Sequence, residues 1–181
     1  MSAYPEVALG YLARTVAGAT PRTTKTRYWD ENGTGINWVA IGDMSRTDLV
    51  ESTAKQVTQA GIDAAKLTIG EPGTVLFAMY ASVGEVSTLG VPAAWNQALL
   101  GVYPRPGMSD SRYLAYALKM LRPSLYVHYR SNTQDNLNAE IVNSLRVPFP
   151  PLETQIAISN YLDRETAEID EMSVNLDEME T

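Results

Sequence analysis

The side chains best placed to do chemistry in this sequence are basic, and they are grouped. Arg14, Arg22, Lys25 and Arg27 fall within RTVAGATPRTTKTRYW, residues 14–29, which contains five threonines and no acid. Gly18 and Pro21 mark it as a loop, and Tyr28-Trp29 closes it. Guanidinium and ammonium groups in such a loop can meet phosphates or guanine edges, and hydroxyls such as that of Thr23 can donate to phosphate oxygens. The plain alternative is a solvated basic loop. A second set, Arg105, Arg112, Lys119, Arg122 and Arg130, lies among tyrosines. Arg112 and Lys119 are seven residues apart, near one helical face, where they could follow a phosphate backbone or line a solvated surface. The amides of Asn96-Gln97 and Asn132-Thr133-Gln134 can read adenine edges; satisfying loop backbone is the favoured role for the first pair. Tyr80, after the apolar VLFAM, either points from a strand end into a groove or packs in the core.

Catalytic groupings are missing from the pattern. His128 stands between tyrosines without a second histidine or carboxylate at relay or ligand spacing, and reads as structural. Asp43 in IGDM reads as a turn cap rather than a metal ligand. No G-x-S-x-G, G-x-x-x-x-G-K-[ST] or G-x-G-x-x-G occurs, nor an Asn or Asp before Pro-Pro-aromatic. With no cysteine there is no disulfide, thiolate nucleophile or cysteine-based zinc site. The expectation is a binding protein, not an enzyme, that needs no cofactor and no metal.

These side chains must be held by something, and 181 residues with 45% hydrophobic composition suffice for one domain plus an appendage. No apolar run is long enough to span a bilayer, and the start lacks a signal-peptide pattern, so no membrane partner and a cytoplasmic location are expected. The net charge of −7 is unevenly distributed: residues 1–150 hold 13 basic against 12 acidic side chains, residues 151–181 one against nine. The acidity belongs to the tail, and the near-neutral front can still carry a basic face.

The prolines of VPFPPLE, residues 147–153, divide the chain into 1–150 and 151–181. Beyond them Ile158, Leu162, Glu165, Ile169, Met172, Leu176 and Met179 recur at alternating spacings of four and three, the pattern of a coiled-coil seam. A helix over 152–180 would be a rod of roughly 43 Å at about 1.5 Å per residue, long enough to need a partner helix. Before the boundary, strand-like runs at 38–41, 74–79, 99–103 and 145–149 alternate with turn clusters ENGTG, GEPG and PRPG. A helix is predicted over 109–121, capped by Ser109 or Asp110 and ended by Pro123, followed by a short helix over 123–129 and another from about Leu137. The fold class expected is α/β of the α+β type: a globular mixed-sheet domain followed by a long coiled-coil-like helix.

The order of the motifs is more specific than any one of them. GATP (18–21), YW (28–29), NWVAIGDM (37–44), PGTVLFAMYASVGEV (72–86), WNQALLGVYP (95–104), SNTQDNLN (131–138) and VPFPPLETQIAISNYLDRETAEID (147–170) follow one another as in the target-recognition domain and conserved region of type I restriction-modification specificity subunits (HsdS), which this chain resembles. The resemblance implies a recognition domain that reads one half of a bipartite duplex site. It also implies conserved helices that pair antiparallel as a spacer and dock methyltransferase subunits, with restriction subunits joining through them. Two departures stand out: one recognition domain and one shortened conserved region are present where the family has two of each, and Glu153-Thr154-Gln155 replaces the usual Glu-Gln pair. A homodimer through the C-terminal helix, reading a palindromic site, is the expected substitute for the missing half. The rival reading is a dimerising interaction protein, or a truncated specificity unit that sequesters partners without productive DNA binding. A methyltransferase fragment ranks third, because the donor loop and base-holding motif are absent.

Overall fold

The computed structural model describes the backbone of residues 4–45, 47–130 and 137–179, and the side chains of these except 126–130 and 173–179. In chain order the front half runs β1 (Glu6–Ala8), α1 (Leu9–Leu12), β2 (Ala13–Ala17), a 3-10 turn (Thr26–Tyr28), β3 (Trp29–Asp30), β4 (Ile36–Val39), α2 (Ile41–Met44), β5 (Leu49–Val50), β6 (Gln56–Val57) and α3 (Gln59–Ala65). It continues through β7 (Val75–Ala78), β8 (Val86–Leu89), β9 (Ala93–Trp95), β10 (Leu99–Pro104), α4 (Ser111–Arg130), α5 (Ala139–Ser144), β11 (Arg146–Pro148) and α6 (Leu152–Met179). This is the mixed α+β class expected.

Three sheets organise the strands. The largest has the order β2-β10-β7-β8-β5, the second β3-β6-β4-β9, and β1 pairs with β11. All ladders are antiparallel except β4 with β9 and β5 with β8. Because side chains alternate across a strand, β7 feeds both sides of its sheet. Val75 and Phe77 join a core with Leu9, Leu12, Leu114 and Leu118, whereas Leu76 and Ala78 join Val39, Leu89, Trp95 and Leu99 on the other face. A smaller cluster around Trp38, Val57 and Ala94 underlies the second sheet.

The helix predicted at 109–121 is present, and Asp110 caps it: its Oδ1 accepts from the Tyr113 N–H at 2.9 Å. The expectation that Pro123 ends this helix is corrected, since α4 runs on through Pro123 to Arg130. A proline inside a helix costs about 3 kcal/mol through one lost hydrogen bond and a steric clash. Leu118 before it and Leu125 after it are both buried in the first core, and their burial holds the two halves on one axis. The strand expected at 38–41 lies at Ile36–Val39, and the next residues form the single turn of α2. Asp43 makes that turn, its Oδ2 accepting from the Ala40 N–H at 2.8 Å and its Oδ1 from the Ala54 N–H at 3.0 Å. The turn-cap reading of Asp43 therefore matches its geometry.

Candidate nucleic-acid interface

The loop between β2 and the 3-10 turn is fastened by its backbone to both the first and the second sheet. The N–H groups of Gly18 and Ala19 donate to the carbonyls of Leu99 (3.1 Å) and Trp95 (3.0 Å), and the Trp38 indole donates to the Ala19 carbonyl at 3.1 Å. Gly18 is required for this approach, because a Cβ there would lie 2.2 Å from the carbonyl oxygens of Trp95 and Asn96. The far end is held by Thr58, whose N–H donates to the Tyr28 carbonyl at 3.1 Å and whose hydroxyl donates to the Arg27 carbonyl at 2.7 Å. Motifs far apart in sequence, GATP, NWV and WNQ, thus meet at one loop root. Asn96 serves the backbone, its Oδ1 accepting from the Ala98 N–H at 3.0 Å, while Gln97 receives the Thr20 hydroxyl.

Between these fastenings Arg22, Thr23, Lys25 and Arg27 are exposed, and none of the three cations has a carboxylate partner among the described residues. All three act on Tyr28. Arg27 donates to the phenol oxygen at 3.4 Å and stands 5.1 Å from the ring centre. That hydrogen bond holds the phenol below its usual pKa, and the charges of Lys25 and Arg22 add to the effect. Three unneutralised cations on one short loop form a concentrated positive patch, which is what an anionic backbone binds.

A cleft of about 530 Å³ opens beside the loop, lined by Thr23 and Thr26 from the loop, Trp29, Asp30 and Glu31 after it, and Thr53, Lys55 and Gln56 across it. Lys55 places its ammonium 5.5 Å from the Trp29 ring centre, and Trp29 meets Trp38 edge to face at 5.0 Å. Trp29 Nε1 and Gln56 Oε1 are buried without a hydrogen-bond partner among the described residues, an uncommon state for a donor and an acceptor in one wall. Lys55 and Gln56 escaped sequence reasoning because they stand among ordinary neighbours, and only the β3-β6 pairing sets Gln56 opposite Asp30, with Lys55 just before it over the Trp29 ring.

Asp30 supports the turn that shapes one rim. Its Oδ2 accepts from the N–H groups of Thr34 (2.7 Å) and Gly35 (2.9 Å), and the Thr34 bond above all holds the carboxyl below its usual pKa. A depressed carboxyl pKa stabilises the folded turn above the unfolded value, and that contribution vanishes as pH falls through the folded value. Amide protection at Thr34 and Gly35, corrected for intrinsic exchange, is therefore expected to drop on acidification below the normal carboxylate range and to be low at every pH in Asp30→Ala. Protection in the wild type that ignores pH would contradict this.

The second basic set is not brought to the loop. Arg112 Nη1 lies 2.6 Å from Asp163, Lys119 Nζ 2.7 Å from Asp48, and Arg122 Nη2 2.9 Å from Glu85, while Arg105 donates to the Gly10 carbonyl at 3.3 Å. Arg14, also from the first basic run, lies on β2 with its guanidinium 4.7 Å from the Tyr103 ring centre. Tyr80 is half-buried and packs against the first core. The side chains of His128 and Arg130, and all of Asn132, Thr133 and Gln134, lie outside the described residues. Among the described residues no group of three or more histidine or acidic side chains could hold a metal, and no helix is long and apolar enough to cross a membrane.

The seam of α6 divides in two. Ile158 packs against the first core and Leu162 and Glu165 are half-buried, whereas Ile169 and Met172 are 60% and 61% exposed. The side chains of Leu176 and Met179 lie outside the described residues.

The chain is thus a mixed-sheet domain with an exposed cationic loop, followed by a long helix that leaves Ile169 and Met172 exposed. The model of the type I restriction modification DNA specificity domain matches residues 3–178, and the chain belongs to that family. Its fold is similar to the HsdS subunit from Thermoanaerobacter tengcongensis (TM-score 0.70, 22% identity, 92% of this chain and 38% of that one). It is also similar to a chain from a structure of type I R-M complex assembly and conformational transition (TM-score 0.75, 22% identity, 95% and 40%). A third likeness is to the type I S subunit from M. genitalium (TM-score 0.61, 15% identity, 94% and 42%). The chain spans about two fifths of the length of these solved chains.

Proposed function

We propose that this chain reads one half of a bipartite duplex site through the 22–27 loop and the adjoining cleft, without catalytic activity of its own. The observation that carries the reading is the sorting of the cations. Arg112, Lys119 and Arg122 are neutralised inside the molecule, whereas Arg22, Lys25 and Arg27 have no acidic partner among the described residues. In this reading Arg22, Lys25, Arg27 and Thr23 grip phosphates, and Lys55, Gln56 and Trp29 face the base edges from the cleft. Residues 1–150 form the reading domain and residues 151–181 the spacer. The exposed Ile169 and Met172 pair antiparallel with an equivalent helix, which gives a homodimer when the chain is alone. The nine acids of that segment offer a surface to basic methyltransferase subunits, and restriction subunits join through them.

Selection by the purified chain from a pool of randomised duplexes tests this. Enrichment of a short motif, with affinity that falls as salt rises, is the expected result. A chain that pairs and captures methyltransferase subunits but retains no duplex at low salt would establish the sequestering alternative instead.

A further inference from the structure

One helix face of α6 carries a polar contact set that the recognition reading does not use. Gln155 and Ser159 are fully buried, and with Asp163 they stand four residues apart, so the three side chains form a single stripe. The Gln155 amide accepts from the Asp110 N–H at 3.1 Å and donates to the carbonyls of Met108 (3.0 Å) and Pro150 (2.9 Å). The Ser159 hydroxyl lies 3.0 Å from Asp110 Oδ1, the same oxygen that caps α4. Asp163 closes the series, accepting from Arg112 at 2.6 Å and from the Tyr116 hydroxyl at 2.7 Å. Tyr113 ties the preceding segment to the same helix by donating to the Pro148 carbonyl at 2.9 Å.

An apolar contact such as Ile158 against the core tolerates sliding and rotation, because burial is non-directional. Hydrogen bonds with both partners fixed do not, and a buried amide with nearly every position filled admits one setting. We infer that Gln155, Ser159 and Asp163 are positioning residues that fix the angle at which α6 leaves the recognition domain, and thereby the separation of half-sites that the paired assembly accepts. The lever is long. Twenty-eight residues of helix reach about 42 Å, so a tilt of about 10° at the root moves the tip by about 7 Å, roughly two base-pair steps of DNA. Anything riding on the far end is displaced by the same amount. The link to half-site separation rests on the proposed reading of the domain; the fixing of the angle does not.

The absence of cysteine permits a clean measurement on the whole chain. Spin labels at exposed Thr68→Cys on the domain and Ala167→Cys on α6 report the angle as a distance distribution by pulsed electron resonance. The expected result is one narrow distance in the wild type and its loss to a broad distribution in Gln155→Leu and Asp163→Ala. Asp163→Asn, which keeps an acceptor for Tyr116, restores part of the narrowness. On duplexes carrying two half-sites at graded separations, the same variants should lose preference for one separation while binding a single half-site as the wild type does. Retained single-site binding also shows that the domain is folded. A distribution as narrow in Gln155→Leu and Asp163→Ala as in the wild type, or already broad in the wild type, overturns the inference. So does an unchanged separation preference in variants whose distances have broadened. Should the wild type bind no duplex at all, the reading of the domain falls, and the label distances still decide for or against the fixed angle.

Discussion

Replacing Arg22, Lys25 and Arg27 together by alanine is expected to lower duplex affinity by about three and a half orders of magnitude at 50 mM salt and about two at 200 mM. The figures follow from counterion release: each phosphate contact adds about 0.9 to the slope of log affinity against log salt, so three lost contacts flatten it by about 2.7. The three side chains are exposed and carry no carboxylate partner among the described residues, so their removal leaves no buried charge and should not unfold the domain. Arg112→Ala and Lys119→Ala serve as contrasts. Each of those cations meets an acid of its own chain, and exposed pairs of that kind contribute only about 0–1 kcal/mol, so neither should move the slope. Titration over a salt series reads all of this directly. A triple variant with the wild-type slope would remove the loop from the interface.

Changing Ile169 and Met172 to aspartate is expected to abolish self-association of the chain. Full burial of such a side chain is worth roughly 1.5–3 kcal/mol and about three fifths of each is still exposed, so two from each copy contribute about 4–7 kcal/mol to pairing. Even about 3 kcal/mol exceeds a hundredfold in the association constant. Leu162 is a poorer choice for this purpose, since it is already half-buried in the monomer and its replacement would disturb the intramolecular seat of α6. The acidic tails repel each other across the pair, so association should strengthen with salt while duplex binding weakens. Sedimentation at graded concentrations tests the expectation. A wild-type chain that is monomeric at every concentration and salt level, and no different from the variant, would contradict it.

What the sequence disclosed was mostly what is local in the chain. The Asp110 cap, the strand at Val75–Ala78 and the strand at Leu99–Pro104 depend on turn residues and apolar periodicity a few positions away, and they lie where the pattern put them. Pro123 misled because its cost is local whereas the burial of Leu118 and Leu125 that offsets it is not. The same asymmetry governed the basic residues. Nothing near Arg112 or Arg122 in sequence announces that Asp163 lies 51 residues on, or Glu85 37 residues back, as the neutralising partner. The 14–29 run was legible because it contains no acid, so its charge needed no tertiary partner to be understood. Lys55 and Gln56 carried no comparable signal, and only strand pairing reveals them.

The manner in which the loop is fastened bears on how such a protein changes over time. Its root is secured by main-chain N–H and carbonyl groups, by one indole, by the Thr58 hydroxyl and by a glycine, and no side chain from 22 to 27 takes part in that anchorage. Whatever residues occupy the tip, the scaffold beneath them keeps its hydrogen bonds. The tip is accordingly free to drift at little risk to folding, and on the proposed reading substitutions there tune the grip on the phosphates with no matching change in α6.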